Sequence, residues 1–282
     1  MSRADGVALR IKSIAQLREV VAAMRSLAAV RMQQAAMMLD GARRYGDIIG
    51  AALSQALTLN GGPASPPAGL PRLALLVFAP EHGFVGGYAD ALGEAVQAAA
   101  PNLVLMVGAK GAQTLTELGR VPDWGIAMAS HAGALPEVAG RIADEVSRLA
   151  AQGAFSRADM LFGRTGEGGR WRIQRHPLLP ADLSRFRKDG GTAPPLHHLA
   201  PADLLDKLVE EHVLSELMLA ATEALAAENA ARLQAMTTAG DNIERKLDEL
   251  TGQERVLRQE QITEELLDVV TGAERLFREE GA

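Results

Sequence analysis

The two ends of this chain carry the same signal, and it limits the fold more than anything between them. Residues 257–273 contain no proline, and apolar side chains recur at Ile262, Leu266, Val269, Ala273 and then Leu276. Those alternating steps of four and three mark a helical seam that needs an apolar partner along its length. Residues 7–57 offer one. Val7, Arg10, Ile14, Leu17, Val21, Met24, Ala28, Arg31, Ala35, Met38, Ala42, Tyr45, Ile49, Ala52 and Ala56 keep the same alternation, broken only by Arg10 and Arg31. At a rise of about 1.5 Å per residue, fifty helical residues span roughly 75 Å. Regularity over that length favours a coiled coil over an ordinary bundle helix. Many seam positions are alanine, so the helices can approach closely, although Gly41, Gly46 and Gly50 weaken the distal half of the first one.

Charge supports pairing of the ends. Residues 1–58 hold eight Arg/Lys against four Asp/Glu, and residues 240–282 hold six against twelve. An antiparallel arrangement sets these fields against each other, though single exposed pairs contribute little. Aromatic residues are only 4% of the 282-residue chain, which suits slim helix–helix packing. The net charge of −6 gives no case for nucleic-acid binding. The absence of cysteine removes disulfides, thiolate metal sites and cysteine nucleophiles. With no apolar run of about 18 residues and no continuous signal-peptide core, a soluble protein is expected, with membrane association only through partners.

The middle of the chain reads differently. The Gly/Pro-rich stretch 60–71 is a linker. After it, strands are predicted at 72–79, 103–107, 124–128, 158–162 and 171–176, with helices at 88–99, 110–118 and 135–151. A Gly-rich turn at 163–169 joins the last two strands. Residues 177–201 read as loop, and helix resumes near Pro201 and runs to about 278. Alternating strands and helices predict an α/β layer with a mainly parallel sheet. The expected fold is therefore α/β: a long antiparallel coiled coil made from residues 1–60 and 201–282, around a central α/β domain at 72–180.

Candidate chemistry is sparse. The stretch 80–88, Pro-Glu-His-Gly-Phe-Val-Gly-Gly-Tyr, lies between a strand and a helix, where a Gly-rich loop can hold phosphate. It matches neither the dinucleotide nor the P-loop fingerprint, and a tight turn needing positive φ is the expected reading. Residues 107–111 get the same reading. Glu81 and His82 are adjacent on a loop, a poor arrangement for an acid–base pair. His197 and His198 lack a further ligand at metal-site spacing. Met24, Met32, Met37, Met38, Met218 and Met236 read as adaptable packing. No catalytic, cofactor-binding or metal-binding set is assigned.

Both ends resemble the gamma subunit of F-type ATP synthases. The N-terminal match is Arg10-Ile11-Lys12-Ser13-Ile14 followed by residues 23–32, Ala-Met-Arg-Ser-Leu-Ala-Ala-Val-Arg-Met. At the C-terminal end it is residues 227–236, Ala-Glu-Asn-Ala-Ala-Arg-Leu-Gln-Ala-Met. Asp241-Asn242, Arg258-Gln259, Ile262-Thr263, Glu265-Leu266 and Val270-Thr271-Gly272-Ala273 follow. Gly83-Phe84-Val85-Gly86-Gly87 stands where the family has a Gly-Leu-Cys-Gly-Gly turn, and Leu178-Leu179-Pro180 ends the sheet region as expected. The resemblance implies a rotary shaft turning inside a ring of alpha and beta subunits, with its base on the membrane c-ring and the epsilon subunit. It implies no active site and no cofactor of its own, and a place on the cytoplasmic face of the bacterial inner membrane. By position, Arg258, Gln259 and Thr263 would meet the beta-subunit catch loop, and Arg25 and Arg31 would face acidic beta-subunit loops.

The sequence departs from the family at residues 17–22, at residues 253–257, and in nine residues added after Ala273. Burying the unpaired Glu279 and Glu280 would be costly, so that tail is expected to project beyond the ring. These departures suggest a divergent branch, which leaves the coupling ion open. Two rival readings stand beside the shaft: a nucleotide- or phosphate-binding α/β enzyme with oligomerising helical ends, and a coiled-coil scaffold unrelated to ATP synthesis.

Overall fold

The computed structural model describes residues 3–59, 72–186 and 196–279, with side chains as far as Val270. The linker read at 60–71, part of the loop at 177–201, and the side chains of the added tail, Glu279 and Glu280 included, lie outside the described residues. Helix α1 covers Arg3–Leu57 and helix α5 covers Pro201–Glu279. Between them come β1 (Leu73–Phe78), α2 (Tyr88–Ala99), β2 (Leu103–Val107), α3 (Ala109–Glu117), β3 (Trp124–Ile126), α4 (Leu135–Ala151), β4 (Arg157–Thr165) and β5 (Trp171–Leu179). The chain divides into two compact units, residues 1–26 with 236–282, and residues 27–235.

In the larger unit the sheet order is β3-β2-β1-β4-β5. The first four strands are parallel, and β5 pairs antiparallel with β4. Side-chain alternation along a strand sends neighbours to opposite faces. Leu76, Phe78, Leu105, Val107 and Met160 face Leu135, Ala139, Ile142 and Val146 of α4 and Val213, Leu217 and Ala221 of α5. Leu75, Val77, Val104 and Met106 face Leu92 and Val96 of α2 and Leu115 of α3. Helices on both faces explain why β1 and β2 read as continuous apolar runs.

Two boundaries differ from the sequence reading. β4 continues through Gly163 to Thr165, where a turn is expected, and β5 continues to Leu179, where loop is expected. Proline is a poor strand residue because it cannot donate to the ladder, yet β5 lies at the sheet edge and tolerates Pro177 there. The buried Asp159 ties these strands together, accepting hydrogen bonds from Arg157 at 2.9 and 3.0 Å on its own strand and from Arg175 at 2.7 Å across the pair.

Within each unit α1 and α5 run antiparallel. In the smaller unit Arg18 pairs with Glu244 at 3.6 Å, and Leu9, Ser13 and Ile14 lie beside Lys246, Leu250 and Gln253. The larger unit pairs Arg43 with Glu223 at 3.7 Å and Tyr45 with Glu211, and packs Ile49, Leu53 and Leu57 with Leu205, Leu208 and Val209. One heptad series forms the buried stripe: Val21, Ala28, Ala35, Ile49 and Ala56 are buried and Ile14 and Ala42 half-buried. The alternate series is weaker, with Arg10, Leu17 and Tyr45 exposed. Gly50 makes room for a ring, since a Cβ there would sit 2.8 Å from Phe186 Cε1.

Candidate functional site

An open parallel sheet binds ligands in the crevice beyond the C-terminal strand ends, where the chain switches faces. Here that place lies beyond β1 and β4, because α2 and α3 cover one face and α4 the other. Helix α5 fills it. A Cβ added to Gly163 at the end of β4 would stand 2.8 Å from Ala227 Cβ and 2.4 Å from Tyr88 Oη. The absence of a side chain on Gly163 is what lets α5 press onto the strand end. Every residue from 220 to 232 is buried, so the helix is enclosed on all sides.

The loop 80–87 is held to that helix and to the sheet. Gly86 has φ +56° and Gly108, before α3, has φ +113°, as the tight-turn reading requires. Phe84 also adopts positive φ and is 66% exposed. Glu81 is no acid–base partner of His82. Its Oε2 accepts hydrogen bonds from the backbone N–H of Ala109 at 3.0 Å and of Met128 at 2.8 Å. Among the described residues no group of three or more His, Asp or Glu could hold a metal. His197 and His198 are exposed, with His197 Nδ1 2.8 Å from the carbonyl of Leu199. The described methionines are partly buried or buried except Met37, which is 67% exposed.

Sequence reasoning passed over a set of buried ions on α5. Glu223 meets Arg43 and Arg164, the latter at 3.3 Å, and Glu228 accepts from Arg232 at 2.7 Å. Burial raises both carboxyls, and the arginines oppose that shift. Glu216 behaves the other way. Burial acts to raise it, but hydrogen bonds from His176 and Arg185, with His212 nearby, hold it at about 2. His212 is itself held below its usual range by burial. The visible signal was charge inside an alanine run, Ala224 to Arg232, where an exposed charged face was the simpler reading.

A further surface with functional potential among the described residues is the far part of α5. Every residue from 258 to 270 is exposed, including Ile262, Leu266, Leu267, Val269 and Val270 at 52–69%. As far as Val270 this seam is apolar by pattern and exposed. Arg258, Gln259 and Thr263 lie together on it. Gln259 and Thr263 are one turn apart on the same side, Thr263 Oγ1 donating to the Gln259 carbonyl at 2.9 Å. Arg258 is about 100° round the helix and pairs with Glu254 at 2.7 Å. Arg25 lies on α1 in the same unit, exposed, whereas Arg31 belongs to the larger unit and is half-buried. No helix among the described residues is long and apolar enough to cross a membrane.

Comparison with known proteins adds to this geometry. A family model described as ATP synthase matches residues 4–276. The chain is 25% identical to the ATP synthase gamma chain of Bacteroides fragilis, over 94% of this chain and 97% of that one. It is also 25% identical to the ATP synthase gamma chain of Chlorobaculum tepidum, over 92% and 94% respectively. Its fold is similar to a chain of the Euglena gracilis mitochondrial ATP synthase, in an OSCP/F1/c-ring assembly in rotational state 3. The TM-score is 0.67 at 14% identity, over 97% of this chain and 94% of that one.

Proposed function

This chain belongs to the ATP synthase family, and from that premise we propose how it works as the central rotary stalk of an F-type ATP synthase. The stalk is a subunit of a larger machine and performs no catalysis alone. Its work is mechanical. It couples ion flow through the membrane sector to nucleotide chemistry carried out elsewhere in the complex.

The observation that carries this reading is the bare end of α5. A helix with five large apolar side chains exposed in one stretch needs a partner to cover them. We assign that partner to the ring of alpha and beta subunits, with Arg258, Gln259 and Thr263 meeting the beta-subunit catch loop. Arg25 and Arg31 face acidic loops of beta, where complementary charge sets register and steers approach. The epsilon subunit and the c-ring take the other end of the shaft, and the complex sits on the cytoplasmic face of a bacterial inner membrane. The enzyme reading is disfavoured by α5 itself, which fills the crevice that a nucleotide would use.

Co-purification tests the proposal. Tagged chain recovered from its own cells should bring down alpha and beta subunits at one copy per three beta, and the recovered complex should hydrolyse ATP. Recovery of a lone chain or a homodimer would refute the stalk assignment and favour the scaffold.

A further inference from the structure

A shaft that passes torque must not turn against its own body. Much of the enclosed part of α5 is alanine, and alanine offers small knobs that resist turning poorly. A directional hold beside the alanines is Arg232, which is 9% exposed. Its Nη2 donates to the carbonyls of His82 at 3.1 Å and Gly83 at 3.3 Å, and to Glu228 Oε1 at 2.7 Å. Nε reaches the Gly83 carbonyl at 3.4 Å. The planar guanidinium therefore grips two successive carbonyls while its charge is met by a buried carboxylate on its own helix. The gripped loop is braced in turn, because Glu81 holds the backbone at Ala109 and at Met128. A load on Arg232 has a short polar path into α3 and the segment after β3.

We propose that Arg232 is a positioning residue for rotary coupling, keying α5 to the sheet through the carbonyls of residues 82 and 83. Ala227 in the Gly163 notch supplies the steric half of the key. The proposal rests on the rotary-stalk reading and adds to it the point at which torque crosses from the helix to the body of the larger unit.

The test uses the assembled complex in membrane vesicles and compares ion pumping per ATP hydrolysed. Assembly and ATP hydrolysis with the unaltered chain report on the stalk reading by themselves. The double variant R232M/E228Q removes the fork together with the buried charge it neutralises, which avoids stranding one ion. Hydrolysis should persist while pumping per ATP falls by roughly threefold or more, the scale on which a mutation weakens coupling between two parts of a protein. A covalent key should restore it. A Cβ on Gly86 would lie 3.9 Å from Ala235 Cβ, within disulfide range, and the chain has no other cysteine. Because Gly86 sits at φ +56°, where a side chain is strained, G86C/A235C in the otherwise unaltered chain is measured beside it and must itself assemble and pump. Oxidised G86C/A235C in the double-variant background should regain pumping, and reduction should abolish the gain. An unchanged pumping ratio in the double variant, or a loss that the cross-link leaves in place, overturns the proposal. If the double variant does not assemble, R232K decides by the same ratio, since lysine keeps the charge beside Glu228 but cannot grip both carbonyls.

Discussion

Residues 220–232 and 258–270 belong to one helix, and both stretches mix charged with apolar residues. The first is enclosed on every side and the second is bare on every side. The enclosed stretch is alanine-rich, with its charges matched inside the protein by Arg43, Arg164 and the loop carbonyls. The bare stretch carries larger apolar residues, and its charges point to solvent or to neighbours on the same helix. Small residues let neighbouring elements close in, whereas the leucines and valines at the end are left exposed. The difference teaches that a seam records a need for burial without saying who meets it.

The largest expected effect separates the two stretches directly. Leu225→Ala should lower the stability of the chain by about 2–5 kcal/mol, as for other large-to-small changes in a packed core. Leu266→Ala should move it by less than about 0.5 kcal/mol, as for exposed positions, while weakening recovery of alpha and beta subunits. Equal shifts in thermal melts of the two variants would break the comparison.

Gly163→Ala comes next. The added methyl would press on Tyr88 and Ala227, and overpacking of that kind costs about 1–3 kcal/mol. A melt unchanged by this substitution would mean that α5 sits more loosely on the strand end than the geometry indicates.

The acid limb of stability should show two opposed behaviours. A histidine held neutral by burial resists protonation when folded, so His212 makes stability fall as pH drops below about 6.5. The lowered Glu216 continues that loss from about 4.5 down to about 2. Glu223 and Glu228 have raised pKa values and contribute in the opposite sense, since their protonation is easier in the folded chain. Glu216→Gln should flatten the acid limb below about 4.5 in chemical denaturation followed against pH. A limb unchanged in that variant would refute the assignment to Glu216.

The smallest effect on stability, and a sharp one on function, is expected at the bare end. Arg258→Ala with Gln259→Ala should leave the melt within about 0.5 kcal/mol of the parent and impair ATP synthesis by the assembled complex. Unchanged synthesis would remove these two residues from the interface while leaving the family assignment in place.

Much of the architecture was legible beforehand because its signals are local. Runs such as residues 73–78 and 103–107, bounded by turn residues, are readable as buried strands one at a time. The seam at Val21, Ala28, Ala35, Ile49 and Ala56 was legible from its period. Its alternate series was less so, since Leu17 and Tyr45 fit the pattern and remain exposed. The extension of β5 past Pro177 was hidden, because proline argues against a strand until the strand is known to be at an edge. Of the candidate site, Arg258, Gln259 and Thr263 were proposed from family resemblance; Glu228 and Arg232 appeared only as letters of the family motif at 227–236, and Glu223 was not singled out.

The sequence by itself determined the two long helices, the alternating strands and helices between them, and the family. Each of these follows from spacing or from motifs that nearby residues define. Only the tertiary structure decided that α5 closes the crevice beyond β1 and β4, and that Arg232 grips a loop about 150 residues away. It also decided that one stretch of α5 is sealed and another bare. Burial is a property of everything that packs around a residue, and those neighbours come from parts of the chain that no local pattern connects.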